Sequence, residues 1–316
     1  MDLMTARDQS LQEFVTCLHD LCLLYSYEGF DFSRMHQWQH QPHAHYLFLF
    51  VDACSRNLQE ENAFAVARQL NLAANFYYWH IVLSDQVIDS HSGGPTLERM
   101  LLLRDLQRRA MRTLCTLFPP ESVFWSHLEE YEKQCATALL AERRYYWQTF
   151  RPYSEEEFIQ IASGKAAIAK IFVIALALQF KRPDLIEPLS RSQDSFHIAY
   201  QLSDDLKDWR SDYEAKQYSF ILSNVIESHR LENEVNSPTR PDADTIGKML
   251  YYSGIAEMGL DICVEHLREA LQLVKQIYCP SWKSTIEQMK AKCIADKKTI
   301  ATKRREALNK IGIACT

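Results

Sequence analysis

Hydrophobic positions recur at helical spacing along almost the whole chain. Leu11, Phe14, Val15, Leu18, Leu21 and Cys22 mark one face of a first helix over Leu3–Tyr27. Comparable patterns predict helices over His45–Gln59, Glu61–Ser90, Thr96–Phe118, Glu121–Phe150 and Ser154–Phe180. A further helix follows the turn Pro183–Pro188 and carries Ala199–Tyr213. Ile246–Tyr278, broken near Gly254 and Gly259, and Trp282–Ile311 complete the set. Gly93-Gly94-Pro95, Pro119-Pro120 and Pro152 supply stops. Ser154 and the three glutamates after it read as an N-cap with a dipole-matched first turn. Leu231–Thr245, holding Asn233, Asn236, Pro238, Pro241 and Asp244, reads as a polar loop. Only 8 Gly and 10 Pro punctuate 316 residues, which favours long helices over many short strands. The pattern predicts one all-α domain, residues 1–316, of about ten or more helices.

Composition narrows the picture. Apolar residues make up 47% of the chain, enough for a sizeable core, and the net charge of −6 gives no pull toward nucleic acid. Nine cysteines, an odd count without a C-x-x-C pair, fit a reducing compartment and neither a disulfide framework nor structural zinc. Met1–Ser10 lacks the apolar core of a secretory signal. The most apolar run, Ala166–Phe180, is interrupted by Lys170 and falls short of the ~20 residues a transmembrane helix needs. The expectation is a cytoplasmic protein with no transmembrane segment. His36, His40, His43 and His45 lie close in sequence, but Pro42 breaks any helix joining them and no second ligand pair is evident, so they are not read as a metal site. The basic C-terminal residues Lys297, Lys298, Lys303, Arg304, Arg305 and Lys310 read as a solvated face.

The chemistry concentrates in A-Y-Q-L-S-D-D-L-K-D-W-R-S-D-Y, Ala199–Tyr213. On a helix, Asp204, Asp208 and Asp212 stand at i, i+4 and i+8 and stack on one face, with Asp205 beside them. Like charges so arranged cost helix stability, and a hard divalent cation such as Mg²⁺ supplies a reason for them. A solvated acidic face is the alternative; the apolar flanks Phe196, Ile198, Leu202, Leu206 and Trp209 argue against it. Asp85 and Asp89 form a second i, i+4 pair, near the C-terminal end of a long helix, where negative charge opposes the helix dipole. They are either ordinary surface acids or a second cation site. Lys165, beside Gly164 in an apolar run, is either a snorkelling lysine or a cation aimed at an anionic substrate. If the two acid faces meet across a bundle, they suit a substrate with adjacent phosphates that shares Mg²⁺ with the carboxylates. Tyr77, Tyr78, Trp79, Ile81, Phe172, Phe196, Tyr200 and Trp209 are then candidate lining for an apolar tail, and their ring faces for steadying a carbocation. Plain core packing is the alternative for each.

Tyr200–Asp208, Y-Q-L-S-D-D-L-K-D, resembles the F-Q-x-x-D-D-x-x-D second aspartate-rich motif of the trans-isoprenyl diphosphate synthases. D-L-K-D-W-R-S-D also resembles the D-x-x-x-D second motif of squalene and phytoene synthases. Leu83–Asp89, L-S-D-Q-V-I-D, is similar to the first motif D-D-x-x-D, and Gly164-Lys165-Ala166-Ala167 resembles the diphosphate-binding K-T-A segment. Order and spacing match over roughly residues 60 to 230. The resemblance implies an all-α class I isoprenoid synthase fold with three Mg²⁺ ions and an allylic prenyl diphosphate substrate; related folds are often homodimers. It implies that Asp85 and Asp89 bind two ions and that Asp204 binds the third, with Asp208, Asp205 and Asp212 in support. Asp85, Asp89, Asp204 and Asp208 become the catalytic set. Lys165, Arg143, Tyr78, Tyr200, Gln201 and Phe172 become the substrate-binding candidates.

Departures from the family pattern shape the functional expectation. Gln86 replaces the second aspartate of the first motif, no Arg-Arg pair follows it closely, since Ser90–Met100 offers only Arg99, and no G-K-x-x-R segment lies near the N-terminus. A second, homoallylic diphosphate therefore has no evident anchor. The expectation is a terpene synthase, a lyase that ionises one allylic diphosphate and cyclises or deprotonates the cation. The alternatives are a prenyltransferase joining two prenyl units, head to tail or head to head, and a non-catalytic partner subunit of such an enzyme.

Overall fold

The computed structural model describes residues 3–27, 30, 32, 42–55, 61–89, 96–147, 149–232 and 241–310. Among them run twelve α-helices: α1 (Leu3–Leu24), α2 (Val51–Cys54), α3 (Glu61–Asp89), α4 (Leu97–Leu117), α5 (Val123–Tyr146), α6 (Glu155–Lys165), α7 (Ala167–Gln179), α8 (Ile186–Glu214), α9 (Phe220–Glu232), α10 (Ala243–Tyr252), α11 (Ile255–Leu273) and α12 (Pro280–Lys310). The described residues contain no strand, only an isolated bridge between Trp147 and Gln217. The chain is all-α, as its pattern predicts.

The helix ends show why the elements stop where they do. Three end without glycine, in a left-handed residue: Ser26 after α1, Lys181 after α7 and Lys216 after α8, at φ of 50°, 54° and 59°. Each closes the same double-bonded cap, for example Tyr27 N–H to Cys22 O at 2.9 Å with Ser26 N–H to Leu23 O at 3.2 Å. Ser154 forms a full capping box with Glu157 at the start of α6. Thr96 caps α4 through Arg99 N–H, and Asp242 caps α10 through Thr245 N–H.

Four sequence expectations are revised. His45–Gln59 is not one helix: Pro42–Leu49 is a 3-10 segment, broken at His45 (φ −121°), and α2 is a single turn. Ala44, Leu47, Phe48, Phe50 and Val51 are all buried, and packing on that many sides overrides the helical period. Ser154–Phe180 divides at Ala166 into α6 and α7. The C-terminal part of the expected loop Leu231–Thr245 is the capped start of α10. The break at Gly254 holds, with φ at 87°, whereas Gly259 continues within α11. His36 and His40 lie outside the described residues.

The chain gathers into two compact units, each drawn from separate stretches. Unit 1 comprises Met1–Glu129, Ala169–Glu187 and Ile277–Trp282. Its core joins Phe14 of α1 edge-on to Phe76 of α3 (5.2 Å between ring centres) and Phe50 to Trp282 at 4.8 Å. Inside it, Asn71 donates to Ser10 Oγ and to the carbonyl of Ala44. Unit 2 comprises Glu130–Ile168, Pro188–Gln276 and Lys283–Thr316. Its core centres on α8, whose Leu189, Ile198, Ala199 and Leu202 are buried. Ser192 Oγ donates to Ala270 O of α11 at 2.9 Å, tying those two helices together without leaving the hydroxyl unsatisfied. Among the described residues no single helix is long and apolar enough to cross a membrane, and the α6–α7 pair reaches that length only across its break.

Candidate metal and diphosphate site

The 29-residue helix α8 sets Asp204, Asp208 and Asp212 at successive turns, as the spacing predicts. Asp204 and Asp208 are half exposed, and the ammonium of Lys207 sits 3.6 Å from an oxygen of each. Their two charges raise the Lys207 ammonium above its ordinary value. Asp205 and Asp212 differ from them. Asp205 is buried, accepts from the side-chain amide of Gln201 at 2.7 Å, and has its carboxyl pushed up to about 7 by burial, with Gln201 and Lys165 pulling the other way. Asp212 is also pushed up to about 7, first by burial and then by the charges of Asp208, Asp204 and Glu142.

Lys165 reaches this region from the last turn of α6. Its ammonium lies 2.9 Å from Glu142 Oε1 of α5, both side chains being about three-quarters buried. Gly164 makes the approach: a Cβ there would stand 2.6 Å from the Cβ of Ala138. α6 thus packs on α5 at a distance only glycine permits, and Cys135 Sγ lies 3.6 Å from the carbonyl of Lys165. Burial and the charge balance at Asp205 and Asp212 both involve Lys165 and Glu142, so these four groups form one electrostatic cluster. Tyr146 and Tyr153 stack at 3.6 Å beside it, in a narrow pocket shared with Glu142, Gln201 and Asp205.

The remaining candidates are distributed as follows. Tyr200 is 39% exposed on α8 and stacks on Phe196; burial and then Asp204 raise its phenol. Arg143 is exposed, its guanidinium over the ring of Trp147 at 4.2 Å. In unit 1, Tyr78 is 38% exposed, whereas its neighbour Tyr77 is buried and meets Phe172 edge-on at 6.0 Å. Asp85 and Asp89 occupy the last two turns of α3, and their side chains lie outside the described residues. Trp209 departs from its expected lining role: it is buried against Gly247 of α10. Glu142 and Lys207 escaped the sequence reading. Lys207 lies within the motif itself; for Glu142 the available signal was an acid facing a glycine–lysine pair, which no spacing along the chain reveals.

The donors suit a hard cation. Among the described residues no three His, Cys, Asp or Glu side chains converge into a ready-made metal cage. Carboxylates spaced by helical turns instead match Mg²⁺, which takes one or two carboxylates and completes its shell with water and substrate phosphate. Burial, which Lys165 only partly offsets, lets Asp205 and Asp212 hold protons near neutrality, and a divalent ion would supply the further positive charge that ionises them.

No protein-family model matches the sequence, and no curated protein matches it. Solved structures do. Heptaprenyl diphosphate synthase from Staphylococcus aureus superposes with a TM-score of 0.71 at 11% identity, covering 92% of this chain and 98% of that one. Geranylgeranyl pyrophosphate synthase from Lactobacillus brevis ATCC 367 gives 0.64 at 15% identity over 93% and 99%. A polyprenyl synthase from Caulobacter crescentus CB15, complexed with calcium and isoprenyl diphosphate, gives 0.61 at 14% over 92% and 97%. At such identities the likeness is one of fold, and it extends over nearly the whole chain: this protein has the all-α fold of the class I isoprenoid synthases.

Proposed function

We propose that the chain is a Mg²⁺-dependent enzyme acting on an allylic prenyl diphosphate, and that it transfers the prenyl group to a second prenyl unit. The observation that carries the proposal is the acid ladder of α8 standing beside a lysine that a buried-side carboxylate holds in place. The solved structures that share the fold bear the names of prenyl diphosphate synthases, which supports transfer over cyclisation.

Asp204, with Asp208, Asp205 and Asp212, forms one metal-binding group, and Asp85 and Asp89 form the other; three ions are the number the motifs imply. Mg²⁺ held by these carboxylates would supply the charge neutralisation that makes diphosphate a better leaving group. The chain's own residues do the rest. Lys165 places a point charge on the diphosphate, and Glu142 holds that ammonium in position. Gln201 donates to Asp205 and fixes the orientation of its carboxylate. Arg143, Tyr200, Tyr78 and Phe172 are the further substrate contacts, the rings for the apolar tail. A terpene synthase is the second reading, favoured by Gln86 and by the missing Arg-Arg and G-K-x-x-R cations.

Incubation with Mg²⁺ and geranyl, farnesyl or geranylgeranyl diphosphate, each with and without isopentenyl diphosphate, separates the readings. The transferase forms longer diphosphates only when isopentenyl diphosphate is present. A hydrocarbon or alcohol from one allylic substrate alone would replace it with the terpene synthase. No turnover of any substrate would overturn both and leave a non-catalytic partner subunit.

A further inference from the structure

Unit 2 also carries a groove of about 610 Å³ that the proposed chemistry does not use. α8, α10 and α12 wall it. At about 100° per residue, Arg210 projects about 160° away from Asp208, so groove and acid ladder occupy different sides of one helix. Four cations line the groove, Arg210, Lys248, Lys303 and Arg304, against a single acid, Asp244. Asp244 pairs with Arg210 at 2.9 Å, and the buried Glu257 backs Arg304 at 3.3 Å. Asp242 feels the charge of Lys248 but is engaged in capping α10. Positive charge therefore remains in excess, concentrated at the exposed Lys248 and Lys303.

The apolar half of the groove is aromatic. Tyr251 and Tyr252 are 36% and 46% exposed, beside the ring of Trp209. Two glycines make room for the floor. A Cβ at Gly247 would stand 2.8 Å from the Trp209 ring, and one at Gly254 would meet Arg304 Nη1 at 2.9 Å. Gly254 is also left-handed, at φ 87°, where other residues are strained. Sequence features that are costly elsewhere in a helical protein thus coincide at the two side chains that floor the groove.

Held cations beside exposed rings match an anion with an apolar or planar body, and several cations match a dianion better than a monoanion. We infer that the groove binds a small organic phosphate. Its phosphate lies on Lys248, Lys303 and Arg304, and its body lies against Trp209, Tyr251 and Tyr252. The site is separate from the carboxylate face and stands whether or not that face performs prenyl transfer.

Calorimetric titration of the full chain in EDTA tests it, with inorganic phosphate, adenosine 5′-monophosphate and farnesyl monophosphate as probes. EDTA denies the carboxylate face its cation, and Lys165→Ala serves as the control for phosphate held there. The expected result is binding of an organic phosphate tighter than about 1 mM. Inorganic phosphate should bind about tenfold more weakly, and Lys248→Glu/Lys303→Glu should lose about tenfold or more at an unchanged melting temperature. Lys165→Ala should bind adenosine 5′-monophosphate as the parent does. No binding of either organic probe, equal binding by the double variant, or loss of adenosine 5′-monophosphate binding in Lys165→Ala would overturn the inference. Inorganic phosphate binding as tightly would remove the aromatic half of the site. Binding only to vesicles containing phosphatidic acid, lost in the double variant, would make the groove a membrane-facing surface instead.

Discussion

At the scale of the residue, four acids that look alike in sequence divide into two kinds. Asp204 and Asp208 are half exposed and share Lys207, whereas Asp205 is buried under the Gln201 amide and Asp212 lies in the field of its neighbours. The i, i+4, i+8 ladder was readable from spacing alone because it depends only on helix geometry. The burial of Asp205 and Asp212 and the charge of Glu142 beside them come from packing against other helices, so they were not. Asp204→Ala and Asp89→Ala are each expected to cost at least about a hundredfold in turnover with helicity by circular dichroism unchanged; full activity in either variant would remove that residue from the metal-binding set. Glu142→Gln keeps the size of the side chain but removes the charge that holds Lys165. It should raise KM for the diphosphate substrate more than it lowers kcat, with a stability loss of about 1–3 kcal/mol for a pair that is three-quarters buried. Tyr77 and Tyr78 separate packing from specificity. Tyr77→Ala empties a buried site and should destabilise by about 3–5 kcal/mol, while Tyr78→Ala should leave the melting temperature near that of the parent and change product chain length. A product distribution identical to the parent's would make Tyr78 a surface residue only.

At the scale of the element, the places where sequence and structure part have local physical causes. Ser26, Lys181 and Lys216 end their helices by adopting left-handed backbone without glycine, so the residue types foretell where the helices stop, within a few residues, but not the form of the cap. The run Ser154–Phe180 reads as one helix because its apolar period continues through Ala166, where the structure bends by 51°. Gly164 in the middle of a good helical pattern was the visible sign of a close approach, since glycine costs a helix about 1 kcal/mol relative to alanine. The approach is specific to the pair α5–α6, because the Cβ absent from Gly164 would meet Ala138 at 2.6 Å. Gly164→Ala should therefore lower stability by about 1–3 kcal/mol by overpacking, outweighing the gain in helix propensity. Thermal melting checks this, and a variant more stable than the parent would show that the two helices separate freely. Since the same contact places Lys165 beside Glu142, Gly164→Ala should also raise KM.

At the scale of the molecule, the helical architecture was legible because so few glycines and prolines interrupt a chain of this length, and the structural neighbours bear the fold out over more than nine-tenths of it. The choice between transfer and cyclisation was less legible. It rests on cations that anchor a second diphosphate, and an anchor is recognised by where side chains converge, not by a pattern along the chain. Electrostatics of the acid cluster make a prediction for the whole protein. Asp205 and Asp212 have folded-state values of about 7 against an ordinary 3.8, so the folded chain holds protons that the unfolded chain releases. Their contribution to stability is most favourable below pH about 4 and declines as pH rises through about 7. Melting in EDTA should show that decline, Asp205→Asn should flatten it, and Mg²⁺ at pH 8 should raise the melting temperature by binding the folded state. A profile indifferent to pH and to Mg²⁺ would contradict the assignment of these acids. The central claim, that this chain ionises an allylic prenyl diphosphate with metals held by α8, is tested most directly by measuring diphosphate released from farnesyl diphosphate by the parent and by Asp204→Ala, in Mg²⁺ and in EDTA. The account predicts release by the parent with isopentenyl diphosphate and Mg²⁺ present, none in EDTA, and none by the variant; release that persists in EDTA or in Asp204→Ala would contradict it.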